Sequence, residues 1–147
     1  MAYKGKFKPK NPSKYNGDAD KITYRSRWEL MFMADLDKHP DVLQWSSEET
    51  IVHYISPIDG RQHRYFPDFV VTKKNHSDGK IVTVMYEIKP KKQCSPPKVQ
   101  KRITGRYINE VKNWGVNSAK WAAAEIYCRA RGWTFAVITE VDLGIKY

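Results

Sequence analysis

The chain has 147 residues, 41% of them hydrophobic and 13% aromatic, enough to bury one core and too apolar for wholesale disorder. With 26 Lys and Arg against 16 Asp and Glu it carries a net charge of +10, which favours polyanions, nucleic acid above all. No apolar run approaches the ~18 residues of a membrane span, Met1 to Lys6 lack the apolar core of a signal peptide, and Cys94 and Cys128 show no CxxC spacing. A membrane protein, a disulfide scaffold and a thiolate zinc site are therefore excluded, and the expected compartment is the cytosol.

In chain order, residues 1–22 alternate lysine with small or turn-forming residues: Lys4, Lys6, Lys8, Lys10, then Asn11-Pro12-Ser13-Lys14. This pattern reads as a basic, extended, poorly ordered arm ahead of a domain over residues 23–147. Such an arm can wrap a nucleic-acid backbone, dock on a partner, or remain a solvated tail. Ser26-Arg27-Trp28-Glu29 fits a capping box, and His39-Pro40 marks the stop of the helix it opens. At 100° per residue Trp28, Phe32, Met33 and Leu36 share an apolar sector, and Glu29 falls inside it. An acid on a core-facing surface needs a partner: a cap, a cation, or a metal-bound water.

Short strands are expected over Val42 to Trp45 and Ile51 to Ile55, followed by the turn cluster Ser56-Pro57-Ile58-Asp59-Gly60. One longer strand is expected over Gln62 to Thr72, then a turn at Asn75 to Gly79 and a strand from Ile81 to Lys89. The three consecutive strands Ile51 to Ile55, Gln62 to Thr72 and Ile81 to Lys89, joined by turns, form an antiparallel meander. Period-two alternation puts Ile81, Thr83 and Met85 on the face of Glu87, and Val82, Val84, Tyr86 and Ile88 on the other. Pro90 to Pro97 is a stiff basic loop. Two helices are expected next, Val99 to Trp114 with Gly105 inside it and Ser118 to Arg131 capped by Gly132. A strand from Trp133 to Ile138 and a helical turn over Glu140 to Gly144 close the chain. Trp114, Trp121 and Trp133 read as core residues. The fold class is α/β, a single domain with a mixed sheet flanked by helices.

The chemistry concentrates at two strand ends. Asp68 follows Pro67 inside the apolar run Tyr65 to Val71, while Glu87 and Lys89 project side by side at the end of another. Two acids and a lysine so placed can hold a hard divalent cation and steer a water at a phosphodiester; without a metal, Lys89 is simply the ion-pair partner of Glu87 or Asp68. From Lys89 to Arg106 there are seven basic residues (Lys89, Lys91, Lys92, Lys98, Lys101, Arg102 and Arg106) and no acid, a pattern that suits contact with phosphates. His39, His53, His63 and His76 have no metal-site spacing, although His53 and His63 are expected near each other across the first hairpin. Glycine-rich phosphate loops and a GxSxG elbow are absent.

Glu29 on a helix, then Pro67-Asp68, then Glu87-Ile88-Lys89, on an αβββαβ pattern, resembles the PD-(D/E)xK superfamily of restriction-endonuclease-like nucleases. Within it the chain is similar to the head completion nucleases of T-even-like tailed phages. Pro9 to Tyr15, Ile22 to Glu29, Glu87 to Lys92, and Trp114-x-Val116-Asn117-x-x-Lys120-Trp121 carry that closer match. The resemblance implies that Asp68 and Glu87 ligate Mg²⁺, with Mn²⁺ able to substitute. It implies that Lys89 orients the attacking water and stabilises its developing hydroxide, and that Glu29 holds a metal-bound water or a second ion. Lys91, Lys92, Lys98, Lys101, Arg102 and Arg106 would then bind DNA. It further implies a deoxyribonuclease acting on packaged DNA before head and tail join, in the host cytoplasm during assembly and at the virion head–neck, with portal or neck proteins as partners. The alternatives are another nuclease of this fold, such as a junction resolvase or a transposase endonuclease subunit, and a non-catalytic DNA-binding head–tail connector. Intact Asp68, Glu87 and Lys89 speak against the connector.

Overall fold

The computed structural model describes residues 4–144. Its first helix, α1 (Arg27–Lys38), starts where the capping box puts it: the Ser26 hydroxyl accepts the Glu29 N–H at 3.1 Å and donates to Glu29 Oε2 at 3.2 Å. It stops at His39, whose N–H bonds to the Asp35 carbonyl, because Pro40 cannot continue the helix. Ahead of it lie two short strands, β1 (Gly5–Lys6) and β2 (Thr23–Tyr24). After it come β3 (Val42–Ser47), β4 (Val52–Ile55), β5 (Gln62–Tyr65), β6 (Phe69–Lys74), β7 (Ile81–Ile88), α2 (Gly105–Arg131) and β8 (Thr134–Ile138).

The central sheet has the order β3-β6-β7-β8, antiparallel through β7 and parallel between β7 and β8. A parallel neighbour cannot be reached by a tight turn, and α2 supplies the crossover. The alternation along β7 divides two cores as expected. Val84, Tyr86 and Ile88 pack with Met33, Leu36, Trp45, Phe69 and Val71 beneath α1, while Met85 turns to Val52, Tyr65, Ala124 and Cys128 beneath α2. Both cysteines are free, and burial pushes the Cys128 thiol up to about 11. No described helix is long and apolar enough to cross a membrane.

Three expectations are corrected. The strand over Gln62 to Thr72 is two strands in two sheets. Pro67 has no N–H for a ladder, so pairing stops at Tyr65 and resumes at Phe69 with new partners. The meander is therefore β3-β6-β7, and β4-β5 is a separate hairpin packed on α2. Second, the two helices are one. Thr104 caps it through the Tyr107 N–H, Gly132 closes it at φ 71°, and Gly115 sits inside without a break. Val99 and Ile103 lie before the helix, exposed, and Gly105 opens it instead of interrupting it.

Third, the basic arm is docked, at least from residue 4; residues 1–3 lie outside the described chain. Gly5 and Lys6 pair with Tyr24 and Thr23. The rings of Phe7 and Tyr15 meet Trp45 edge-on at 5.9 and 4.8 Å, and Ile22 is 1% exposed in the α1-side core. Asp37 accepts the N–H groups of Lys10 and Asn11 at 2.9 and 3.1 Å. Apolar residues interleaved with the lysines gain more from burial than the chain loses in ordering.

Candidate active site

Pro67 is fully buried, and the short connector it stiffens carries Asp68 between the ends of β3 and β7. The Ile88 N–H donates to Asp68 Oδ2 at 2.7 Å, and the Glu48 N–H donates to the Asp68 carbonyl at 3.2 Å. Glu87 is 7% exposed near the end of β7, where the Tyr65 hydroxyl donates to its Oε2. Lys89 follows; its N–H bonds to the Ile138 carbonyl at 2.9 Å and prolongs the β7–β8 pairing. Glu29, 8% exposed, reaches in from the first turn of α1. The capping partner expected for Glu29 is thus Ser26, and the cap leaves its carboxylate facing the other acids.

Glu29, Asp68, Glu87 and Lys89 share one open cleft of ≈ 480 Å³ with Trp28 and Gln93. The four sequence candidates converge there from three places: the first turn of α1, the Pro67–Asp68 connector and the end of β7. A second cleft of ≈ 340 Å³ lies at the far end of β6, around Asp41, Lys73, Lys74 and His76. The distant candidates behave differently. Lys91, Lys92, Lys98, Lys101, Arg102 and Arg106 are all exposed along the loop leaving the cleft and the first turn of α2. The buried Glu140 carboxylate tethers that loop by accepting the Lys91 N–H at 3.0 and 3.2 Å. His53 and His63 stand one step apart in the β4-β5 register, as expected, and His63 meets Asp59 at 2.8 Å and the Tyr54 ring.

Sequence reasoning missed three side chains of the site. Glu48, at φ 54°, brings a carboxylate oxygen within 4.8 Å of those of Glu29 and Asp68. Arg25 holds it, its Nε lying 3.1 and 3.3 Å from the two oxygens. An acid just past a strand was the available signal, but which strand neighbours β6 was not readable from local pattern. Tyr65 stands in an expected strand and Lys120 in a stretch that carries the family resemblance, and no local signal marks either as a site residue. Lys120 is half-buried on α2, with Nζ 5.5 Å from the Tyr65 ring centroid.

The electrostatics follow from crowding. Burial, and then the Asp68 charge, push Glu29 up to about 7 against the Ser26 hydrogen bond. Burial, and then Glu87, push Asp68 up to about 7, opposed by the Ile88 N–H and Lys89. Burial raises Glu87, while Tyr65, Lys89 and Lys120 pull it back. Burial, and then Lys89, lower Lys120. A set of buried and half-buried carboxylates offering only hard oxygens fits a hard divalent cation.

This geometry has relatives. Residues 39–140 match the TnsA-like endonuclease N-terminal family. The chain belongs to it. The match covers Glu48, Asp68, Glu87, Lys89 and Lys120, and the mixed α/β sheet is that of a restriction-endonuclease-like domain. The chain is also 42% identical over 147 residues to the head completion nuclease of Enterobacteria phage T4, covering 97% of this chain and 95% of that protein. That similarity extends to both sides of the TnsA-like endonuclease match and takes in α1, where Glu29 resides.

Proposed function

We propose that this TnsA-like domain is a divalent-metal-dependent deoxyribonuclease that processes packaged DNA at phage head completion, before head and tail join. The observation that carries the reading is the convergence of Glu29, Asp68, Glu87 and Lys89 on one cleft at the root of a basic loop. The setting rests on the similarity to the phage T4 head completion nuclease. Host cytoplasm during assembly, the virion head–neck, and contact with portal or neck proteins belong to the same proposal.

Asp68 and Glu87 would hold Mg²⁺, or Mn²⁺ in its place, with Glu29 holding a second ion or its water beside Glu48. The ion, when bound, neutralises the crowded carboxylates and withdraws charge from the scissile phosphate. Tyr65, bonded to Glu87, and the Ile88 N–H, bonded to Asp68, keep each carboxylate in one orientation. Lys89 would orient the attacking water and stabilise its developing hydroxide. The water oxygen bonds to phosphorus as the bond to the leaving sugar oxygen breaks. The exposed lysines and arginines from Lys91 to Arg106 would hold the DNA backbone across the cleft mouth.

The test is Lys89→Ala in two assays: cleavage of duplex DNA with Mg²⁺ or Mn²⁺, and complementation of head–tail joining. Loss of both, with folding retained, supports the reading. Infectious particles completed by an inactive variant would mean the chain works as a connector. Strong preference for branched over packaged linear DNA would favour a resolvase.

A further inference from the structure

The hairpin β4-β5 lies outside the central sheet and supplies none of the four side chains expected to do chemistry. It does place two tyrosines against α2. Val52 and Tyr65 are direct cross-strand partners, so Tyr54, two residues from Val52, is the diagonal neighbour of Tyr65 on the same face. Above that face is Lys120, its Nζ 5.9 Å from the Tyr54 ring centroid and 5.5 Å from that of Tyr65.

Among the described residues no carboxylate forms an ion pair with Lys120. The acids that feel its charge, Glu87 and Asp68, are already bonded, one by the Tyr65 hydroxyl and the other by the Ile88 N–H. Half-burying an ammonium without an acid partner is costly, and the faces of two aromatic rings offset part of that cost. Such a cation is pre-positioned and keeps its hydrogen-bonding capacity for an anion that arrives later. Lysine suits phosphate, as a compact charge with three donors.

We propose that Lys120, cradled by Tyr54 and Tyr65, is a receptor for a DNA phosphate next to the one being cut. Lys120 stands over the ring whose hydroxyl is bonded to Glu87, which brings its ammonium beside the acid cluster from α2, while Lys89 follows Glu87 at the end of β7. A strand whose scissile phosphate meets Lys89 then offers a neighbouring phosphate to Lys120. The hairpin gains a role as the wall of this subsite. The proposal rests on the nuclease reading only for the identity of the anion.

The bland alternative is that the lysine stem covers apolar surface, and Lys120→Met isolates it by keeping the stem and deleting the charge. Binding of a short duplex is measured in EDTA, across a salt series, for wild type, Lys120→Met, Lys120→Gln and Lys120→Arg. Removing one phosphate partner should weaken binding about 5- to 10-fold near 0.1 M salt and reduce the log–log slope by ~0.9. Lys120→Arg should restore both. Wild-type affinity and slope in Lys120→Met, or in Lys120→Gln should the first variant unfold, would overturn the subsite. Metal-free binding does not depend on cleavage. A wild type that binds with ordinary salt dependence but never cuts defeats the nuclease reading and leaves this one standing.

Discussion

The two clefts at opposite ends of β6 differ less in size than in how their charges are settled. At the far end His76 meets Asp41 at 2.7 Å, and the Lys73 ammonium bonds to the Tyr86 hydroxyl at 2.8 Å while lying over its ring. At the near end Glu29, Glu48 and Asp68 face one another, and Asp68 and Glu29 are both pushed up to about 7. In the far cleft Asp41 and Lys73 each have a close partner; in the near one Arg25 pairs with Glu48, and among the described residues no cation forms an ion pair with Glu29 or Asp68. Acids crowded at strand ends are a poor stability device, so the imbalance, and not cavity volume, singles out the near cleft as the candidate site.

That contrast is broken most directly by substitution. Lys89→Ala or Asp68→Asn should lower the rate of DNA cleavage by ~10² or more, whereas Asp41→Asn in the far cleft should leave it within about 2-fold. Plasmid cleavage rates check this, and equal losses at both ends would erase the distinction. Next in size is DNA affinity. Lys91, Lys92, Lys98 and Lys101 changed together to Gln should weaken duplex binding roughly 10- to 100-fold. Its salt dependence should flatten too, by up to ~0.9 in the log–log slope for each phosphate no longer neutralised. Lys73→Gln with Lys74→Gln, at the far cleft, should change neither quantity. An unaltered slope in the loop variant would turn that loop away from the nucleic acid.

Metal affinity sharpens the comparison further. Calorimetry should find Mn²⁺ binding in the wild type reduced at least ~10-fold by Glu87→Ala and unaffected by Asp41→Ala. Equal affinity in wild type and Glu87→Ala would remove Glu87 from the ligand set.

The smallest effect is on stability. Because folding raises the affinity of Asp68 and Glu29 for protons, the folded protein binds more protons than the unfolded chain between about pH 4 and 7. Their contribution is therefore full below the ordinary carboxyl range and is lost as pH rises through about 7. Metal-free protein should melt at lower temperature at pH 8 than at pH 5.5, and Asp68→Asn should recover on the order of 1–2 kcal/mol at the higher pH. Mg²⁺ should reverse the loss in wild type. Thermal melts with and without EDTA read all three, and a metal-free midpoint that rises between those pH values would contradict the crowding.

Much of the site was legible because its signals are local. Ser26 and Glu29 are three residues apart and cap each other. Glu87 and Lys89 are two apart at a strand end, and the alternation around them divides two cores as read. Pro67 is just as local a signal, but its effect is not local: a missing N–H ends one ladder and lets the next begin in another sheet. The lysines of the N-terminal segment hid Phe7, Tyr15 and Ile22, whose burial against Trp45 and α1 turns an expected arm into part of the body. Two helices are expected where α2 is one, and a helix packed on a hairpin tolerates Gly115 in its interior, since the cost of a glycine in isolation is only ~1 kcal/mol.

By itself, then, the sequence determined the residue types, their spacing along each element, and the face of each strand on which they stand. Those properties depend on backbone geometry over a few residues, and backbone geometry is nearly the same in every protein. Only the tertiary structure decided that β3, not β4, lies beside β6, that Glu48 therefore joins Glu29 and Asp68, and that Lys120 sits over the two tyrosines. Strand pairing and helix docking are set by burial summed over the whole core, so no window short enough to read as a motif contains them.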